Sequence, residues 1–274
     1  MALDTESTTR TTPNILGPTT LPVLAVVNQK GGVGKTTTAI NLGAALAELG
    51  HQILLIDLDP QANSTSGLGL NPARARLTTY HVLMGEATLA EAEQPTTVAG
   101  MRLVPSSIDL AGAEIELAAM PERETRLRRA LASPPAGVEL VIVDCPPSLG
   151  LLTLNALAAS TRMLIPTQCE FFALEGLRHL YYTQQLVRSG LNPQLEVGGI
   201  LMTQFDARTT LAWDVLAEVR RAHPDDVLTT LIPRNVRISE APSHGKSVLD
   251  YDPTCRGAIA YRELAQEIIS RSNR

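Results

Sequence analysis

The chain has 274 residues, 44% of them hydrophobic and 19% charged, with a formal net charge of −5. That composition excludes a wholly disordered or fibrous chain and provides ample material for a core. The acidic balance excludes nucleic-acid binding through the global field, so any DNA contact must come from a local patch. No apolar run approaches the roughly 18 residues that span a bilayer. The first residues carry Asp4 and Glu6 where a signal peptide needs basic residues, and Cys145, Cys169 and Cys255 are too scattered for a disulfide framework or a zinc site. A cytoplasmic protein without a membrane span is expected.

Residues 1–20, with seven Thr and two Pro, are expected to form a flexible tail, and 21–274 a single domain. Strands are expected near 22–28, 52–57, 101–104, 139–144, 162–166, 196–203 and 227–231. Helices are expected near 35–49, 108–118, 122–132, 151–159, 174–188, 209–222 and 255–271. Glu122–Arg126 and Glu124–Arg128 would pair one turn apart in the third of these. In the last, Ile259, Leu264 and Ile268 form a stripe expected to dock on the core. Alternation of apolar strands with helices predicts a doubly wound α/β fold, a mostly parallel sheet flanked by helices and joined by right-handed crossovers. Ligands bind beyond the carboxyl ends of the strands in such sheets, which singles out the loops after 28, 57 and 144.

The first of these loops runs from Asn28 to Thr38 and opens a helix. A dinucleotide GxGxxG reading fails, because its third glycine would be Thr37. The GxxxxGK[ST] pattern departs only where Gln29 replaces its first glycine. Gly31, Gly32, Val33, Gly34, Lys35, Thr36 and Thr37 are therefore expected to cradle the phosphates of a nucleotide. Lys35 would reach the β and γ phosphates, and the Thr36 hydroxyl would bind Mg²⁺. Twenty of the 23 basic residues are arginine, and the only lysines are Lys30, Lys35 and Lys246. Two of those three share this loop, which implies that a compact ammonium is required there. Asp57 and Asp59, two apart at a strand end, face the loop edge. Asp144 ends a buried strand, the position of a Walker B carboxylate that holds Mg²⁺. Cys145 reads as a small buried residue.

With its extra lysine before the glycines, KGGVGKTTT (30–38) resembles the deviant Walker A motif of the ParA and MinD group of ATPases. The segments DLDPQ (57–61), LAGAEIEL (110–117), QCEFFALEGL (168–177), DAR (206–208) and IPRNVRISEAPSHGKSVLDYDP (232–253) resemble the chromosomal ParA (Soj) branch, so the likeness runs from about 22 to 271. The resemblance implies that Lys30 crosses to a partner subunit's nucleotide, giving a homodimer that sandwiches ATP. It implies that Asp59 positions or deprotonates the attacking water and that Asp57 supports the magnesium shell. Pro233 and Asn235 would lie against adenine, and Arg208 and Arg237 would face DNA phosphates. ATP and Mg²⁺ are the implied cofactors. Non-specific double-stranded DNA and a ParB-like centromere-binding protein are the implied partners, with a nucleoid-associated location and no membrane contact. Ala62 stands where the family's segment has glycine. The rival readings are a membrane-surface ATPase of the MinD type, which the docked final helix disfavours, and a cargo-positioning or regulatory ATPase on the same core.

Overall fold

The computed structural model describes residues 21–272, so the tail expected at 1–20 lies outside the described residues. In chain order it contains β1 (Val23–Val26), α1 (Lys35–Glu48), β2 (Ile53–Asp57), α2 (Asn63–Gly67), α3 (Thr79–Met84), α4 (Leu89–Ala92), β3 (Gln94–Pro95), β4 (Met101–Val104), α5 (Leu110–Ala118) and α6 (Arg126–Ala130). Then follow β5 (Leu140–Asp144), α7 (Leu151–Ala159), β6 (Arg162–Gln168), α8 (Ala173–Gly190), β7 (Glu196–Phe205), α9 (Thr210–Ala222), β8 (Val227–Pro233), α10 (Val236–Glu240), α11 (Val248–Tyr251) and α12 (Arg256–Ser272). The eight strands form one sheet in the order β3-β4-β2-β5-β1-β6-β7-β8, parallel throughout except where β3 pairs antiparallel with β4 at one edge.

Every residue of β1, β2 and β5 is buried, because helices cover both faces of these central strands. Successive side chains enter opposite layers: Val23 and Ala25 join one apolar cluster, Leu24 and Val26 the other. The second layer centres on α1, buried almost throughout, with α12 beside it. In α12, Leu264 and Ile268 dock as expected, but Ile259 is 46% exposed and is replaced in the stripe by Tyr261. Among the described residues no helix is long and apolar enough to cross a membrane.

The expected helix at 122–132 is shorter. Glu122 takes a left-handed φ of 53°, so the regular turns begin only at Arg126. The expected one-turn ion pairs do not form in consequence. Glu122 pairs instead with Arg129 and Glu124 with Arg123, while Arg126 donates to the carbonyls of Leu83 and Met84. The short elements α2, α3, α4 and β3 carry too few residues for a periodic pattern to show in the sequence.

Two loops meet backbone to backbone at Gly69 and Gly245, with φ of 80° and 65°. A Cβ on Gly245 would come within 2.7 Å of the Gly69 Cα. Gly245→Ala should therefore destabilise the protein by about 2–4 kcal/mol, combining left-handed strain with overpacking. Gly137→Ala, with φ 76° but open space around it, should lose only about 1–2 kcal/mol. Urea unfolding of both variants checks the difference, and equal losses would show that the Gly69 contact is not tight.

Candidate functional site

The loop after β1 is fixed by donors from the ends of two strands, β6 and β7. Gly32 and Gly34 are left-handed, with φ of 77° and 87°, and Gly34 caps α1, whose first N–H groups lack helical acceptors. A Cβ on Gly31 or Gly32 would meet nothing within 4 Å, so a phosphate can approach the backbone itself. The Gly32 carbonyl accepts from the side-chain amides of Gln168 (2.9 Å) and Gln204 (2.8 Å), and the buried Val33 accepts from Thr203 Oγ1 (2.8 Å). Asn28 accepts from Lys30 N–H at 3.0 Å and donates to the Pro166 carbonyl at 2.8 Å. Lys35 is buried at the mouth of this loop, its Nζ donating to the Lys30 carbonyl at 3.1 Å. Lys30 itself points elsewhere, its half-exposed ammonium paired with Glu170.

Behind the loop, three carboxylates crowd the ends of β2 and β5. Asp57 and Asp144 are partners in the strand register and both are fully buried. Asp57 Oδ2 accepts from Thr65 N–H (2.8 Å) and Thr65 Oγ1 (2.6 Å), and its Oδ1 accepts from Asp59 N–H (3.2 Å). Asp57 therefore anchors the first turn of α2, with both oxygens occupied by protein donors. Asp144 Oδ2 accepts from Ser64 Oγ at 2.8 Å, whereas its buried Oδ1 has no hydrogen-bond partner among the described residues. Asp59 accepts from Gln61 N–H at 2.9 Å and its carbonyl from Ser106 Oγ at 2.7 Å. Ala62, which starts α2, is left-handed at φ 53°, a conformation that glycine adopts without strain.

Burial pushes Asp57 up to about 8, with the Asp144 charge adding to it against the hydrogen bonds from Thr65 and Asp59. Burial raises Asp144 to about 6, opposed by the hydroxyls of Ser64 and Thr36. Lys35 is lowered by burial, with Asp144 and Asp59 pulling the other way. Burial also raises the Cys145 thiol, which makes it an inert core residue. An orphaned carboxylate oxygen beside a threonine hydroxyl and a loop shaped for phosphates is a donor set that fits magnesium, which takes hard oxygens and keeps much of its shell as water and phosphate. Among the described residues, no group of three or more His, Cys, Asp or Glu could hold a metal by itself.

Pro233 and Asn235 line a cavity of about 310 Å³ with Gly34, Thr37, Thr203 and Gln204, next to the phosphate loop. Asn235 also caps α10, its Oδ1 accepting from Arg237 N–H at 2.8 Å. Arg208 and Arg237 lie outside this cavity, and each is paired within its own chain. Arg208 grips Asp206 through Nε (2.8 Å) and Nη2 (2.7 Å), while Arg237 meets Glu240 at 2.9 Å and Asp252 at 3.3 Å. Asn28, Gln168 and Glu170 fall within segments quoted from the sequence but received no role there, and Ser64, Thr203 and Gln204 lay outside the motifs. For Thr203 and Gln204 the advance signal was position at the carboxyl end of a strand.

A family model described as AAA domain matches residues 21–197. The chain is 51% identical over 246 residues to the sporulation initiation inhibitor protein Soj of Bacillus subtilis, covering 90% of this chain and 97% of that protein. It is 52% identical over 253 residues to the chromosome partitioning protein ParA of Caulobacter vibrioides, covering 92% and 95%. Among solved structures, that of a cobyrinic acid a,c-diamide synthase from Mycobacterium smegmatis with bound ATP analog and magnesium superposes with a TM-score of 0.79 at 43% identity, covering 89% of this chain and 93% of that one.

The buried carboxylates predict how stability depends on pH. Each binds its proton more tightly folded than unfolded, where the ordinary value is 3.8. The two titrate as a pair, so their contribution is complete below about pH 4 and is lost progressively as pH rises from there to about 8. The urea midpoint of the nucleotide-free protein should fall between about pH 4 and 8, and Asp144→Asn should show a smaller fall over that range. A parent and variant with identical profiles would contradict this.

Proposed function

Because the chain belongs to the Soj/ParA family of chromosome-partitioning ATPases, we propose that it is a Mg²⁺-dependent ATP hydrolase of DNA segregation. In this reading the ATP-bound form is a homodimer that holds double-stranded DNA without sequence preference, and hydrolysis stimulated by a ParB-like protein releases it. The protein would work in the cytoplasm on the nucleoid. The observation that carries the dimer is the direction of Lys30. Its ammonium is drawn off its own phosphate loop to Glu170, on a rim where Phe171 is 82% and Phe172 67% exposed. A cation placed on an exposed apolar rim is suited to a site on another copy. Relatives above 50% identity bear Soj or ParA names, and this supports partition over the synthase activity for which the solved protein at 43% identity is named.

The residues divide the chemistry among them. The loop N–H groups and the start of α1 hold the phosphates, Lys35 neutralises the β and γ oxygens, and Pro233 with Asn235 holds the base. Magnesium, when bound with the nucleotide, offsets charge that builds on the transferring phosphoryl group. Thr36 and the unpartnered Asp144 oxygen would hold it, Asp57 fixing the segment behind them. Asp59 takes or orients the proton of the attacking water. Lys30 from the partner stabilises the developing charge, as an arginine finger does.

Lys30→Gln should bind ATP with near-parent affinity in calorimetry and hydrolyse it at least about tenfold more slowly. Light scattering should show the parent as a dimer with ATP and a monomer with ADP. Normal hydrolysis by Lys30→Gln would overturn the trans role.

The DNA surface is expected at Arg208 and Arg237. Asp206 occupies two of the five Arg208 donors, and the rest remain for a phosphate on a side chain that is 87% exposed. Dimerisation doubles this weak patch, so affinity should require ATP and fall steeply with salt. Mobility-shift titrations of Arg208→Glu with Arg237→Glu should show weaker binding and a shallower slope of log affinity against log salt, by about one for each phosphate no longer gripped. Parent-like binding by the double variant would place the DNA surface elsewhere.

A further inference from the structure

Adjacent residues in the first turn of α2 grip two different carboxylates. Thr65 holds Asp57 through both its N–H and its hydroxyl, and Ser64 donates to Asp144 Oδ2 at 2.8 Å. Ser64 has no exposed surface, so no water competes for that bond. Its effect on Asp144 is geometric. A carboxylate at a strand end can rotate about its last bond, and a donor on one oxygen fixes the plane of the group and the direction of the other. The other oxygen, Oδ1, is buried and has no hydrogen-bond partner among the described residues. We propose that Ser64 is a positioning residue for metal binding: its hydroxyl aims Asp144 Oδ1 at the magnesium that accompanies ATP, without itself touching the ion.

Ser64 is held well enough to do this. A Cβ on Gly67, one turn later, would lie 2.8 Å from Ile40 Cδ1 of α1 and 3.6 Å from Pro242 Cβ, so α2 is wedged between α1 and the 241–244 turn. The same short segment begins just after Asp59, whose carbonyl is tied down by Ser106. One turn thus joins the residue assigned to water to the residue assigned to the metal. Outer-shell hydrogen bonds of this kind typically contribute about 10–100-fold in metal affinity. The inference rests on Asp144 being a magnesium ligand, as in the proposed function.

The test measures metal affinity separately from turnover. Mn²⁺ would be titrated into the full chain with ATP and free Mn²⁺ read by electron paramagnetic resonance, with ATP affinity in EDTA measured by calorimetry. Ser64→Ala should weaken Mn²⁺ binding by about tenfold and raise the Mg²⁺ needed for half-maximal hydrolysis by a similar factor. Its metal-free ATP affinity should stay within about twofold of the parent, and Ser64→Thr, which restores the hydroxyl, should recover most of the metal affinity. Parent-like Mn²⁺ binding by Ser64→Ala would overturn the inference. So would an equal loss of metal-free ATP affinity, which would make Ser64 a general support of the fold. Asp144→Asn separates the two levels: if it too binds Mn²⁺ and ATP like the parent, the assignment of Asp144 as a ligand fails. If it loses the metal while Ser64→Ala keeps it, the role of Ser64 alone fails.

Discussion

Three carboxylates and one ammonium sit where water barely reaches, at or beyond the carboxyl ends of the neighbouring strands β2, β5 and β1, and the surrounding structure is arranged around that concentration of charge. An isolated ion moved into such surroundings is strongly destabilising, so each must find donors, an opposite charge or a proton. Backbone N–H groups and hydroxyls share the work: Thr65 serves Asp57 through both, Ser64 serves Asp144, Gln61 N–H serves Asp59, and Ser106 ties down the Asp59 backbone. Ser64, Thr65 and Ser106 belong to segments that strand and helix patterning leaves undefined, yet they are buried as deeply as the core. The chain between β2 and α3 is therefore part of the charged centre, and its short helix exists to present donors to it.

Much of the architecture was legible because long apolar strands alternate with long helices, and burial on both faces is the only way to satisfy such strands. The phosphate loop was legible for a different reason: glycines, a lysine and a threonine at that spacing serve few other purposes. What escaped was set by contacts between segments distant in sequence. That Gln168 and Gln204 would both reach the Gly32 carbonyl depends on the order β1-β6-β7, which no local pattern encodes. The helix expected near 122–132 is shortened where Asn155 draws that segment in, accepting from Leu127 N–H and donating to the Arg123 carbonyl. Tertiary hydrogen bonds there override an ordinary helical charge pattern.

The outer surface follows another logic. Arg208 and Arg237 are satisfied locally by Asp206, Glu240 and Asp252. Such exposed pairs are worth little in stability. Their consequence is that a guanidinium is held in a defined direction beside an acid that a phosphate can displace.

Ala62 has a mechanical consequence. At φ 53° its backbone lies in a region that disfavours any side chain by about 1–2 kcal/mol, and its neighbours hold it there through Ser64, Thr65 and the wedge at Gly67. A glycine at this point would be slack. The alanine instead loads the segment like a latch under spring tension, so that whatever loosens the grip of Ser64 and Thr65 also releases the backbone toward a more extended path.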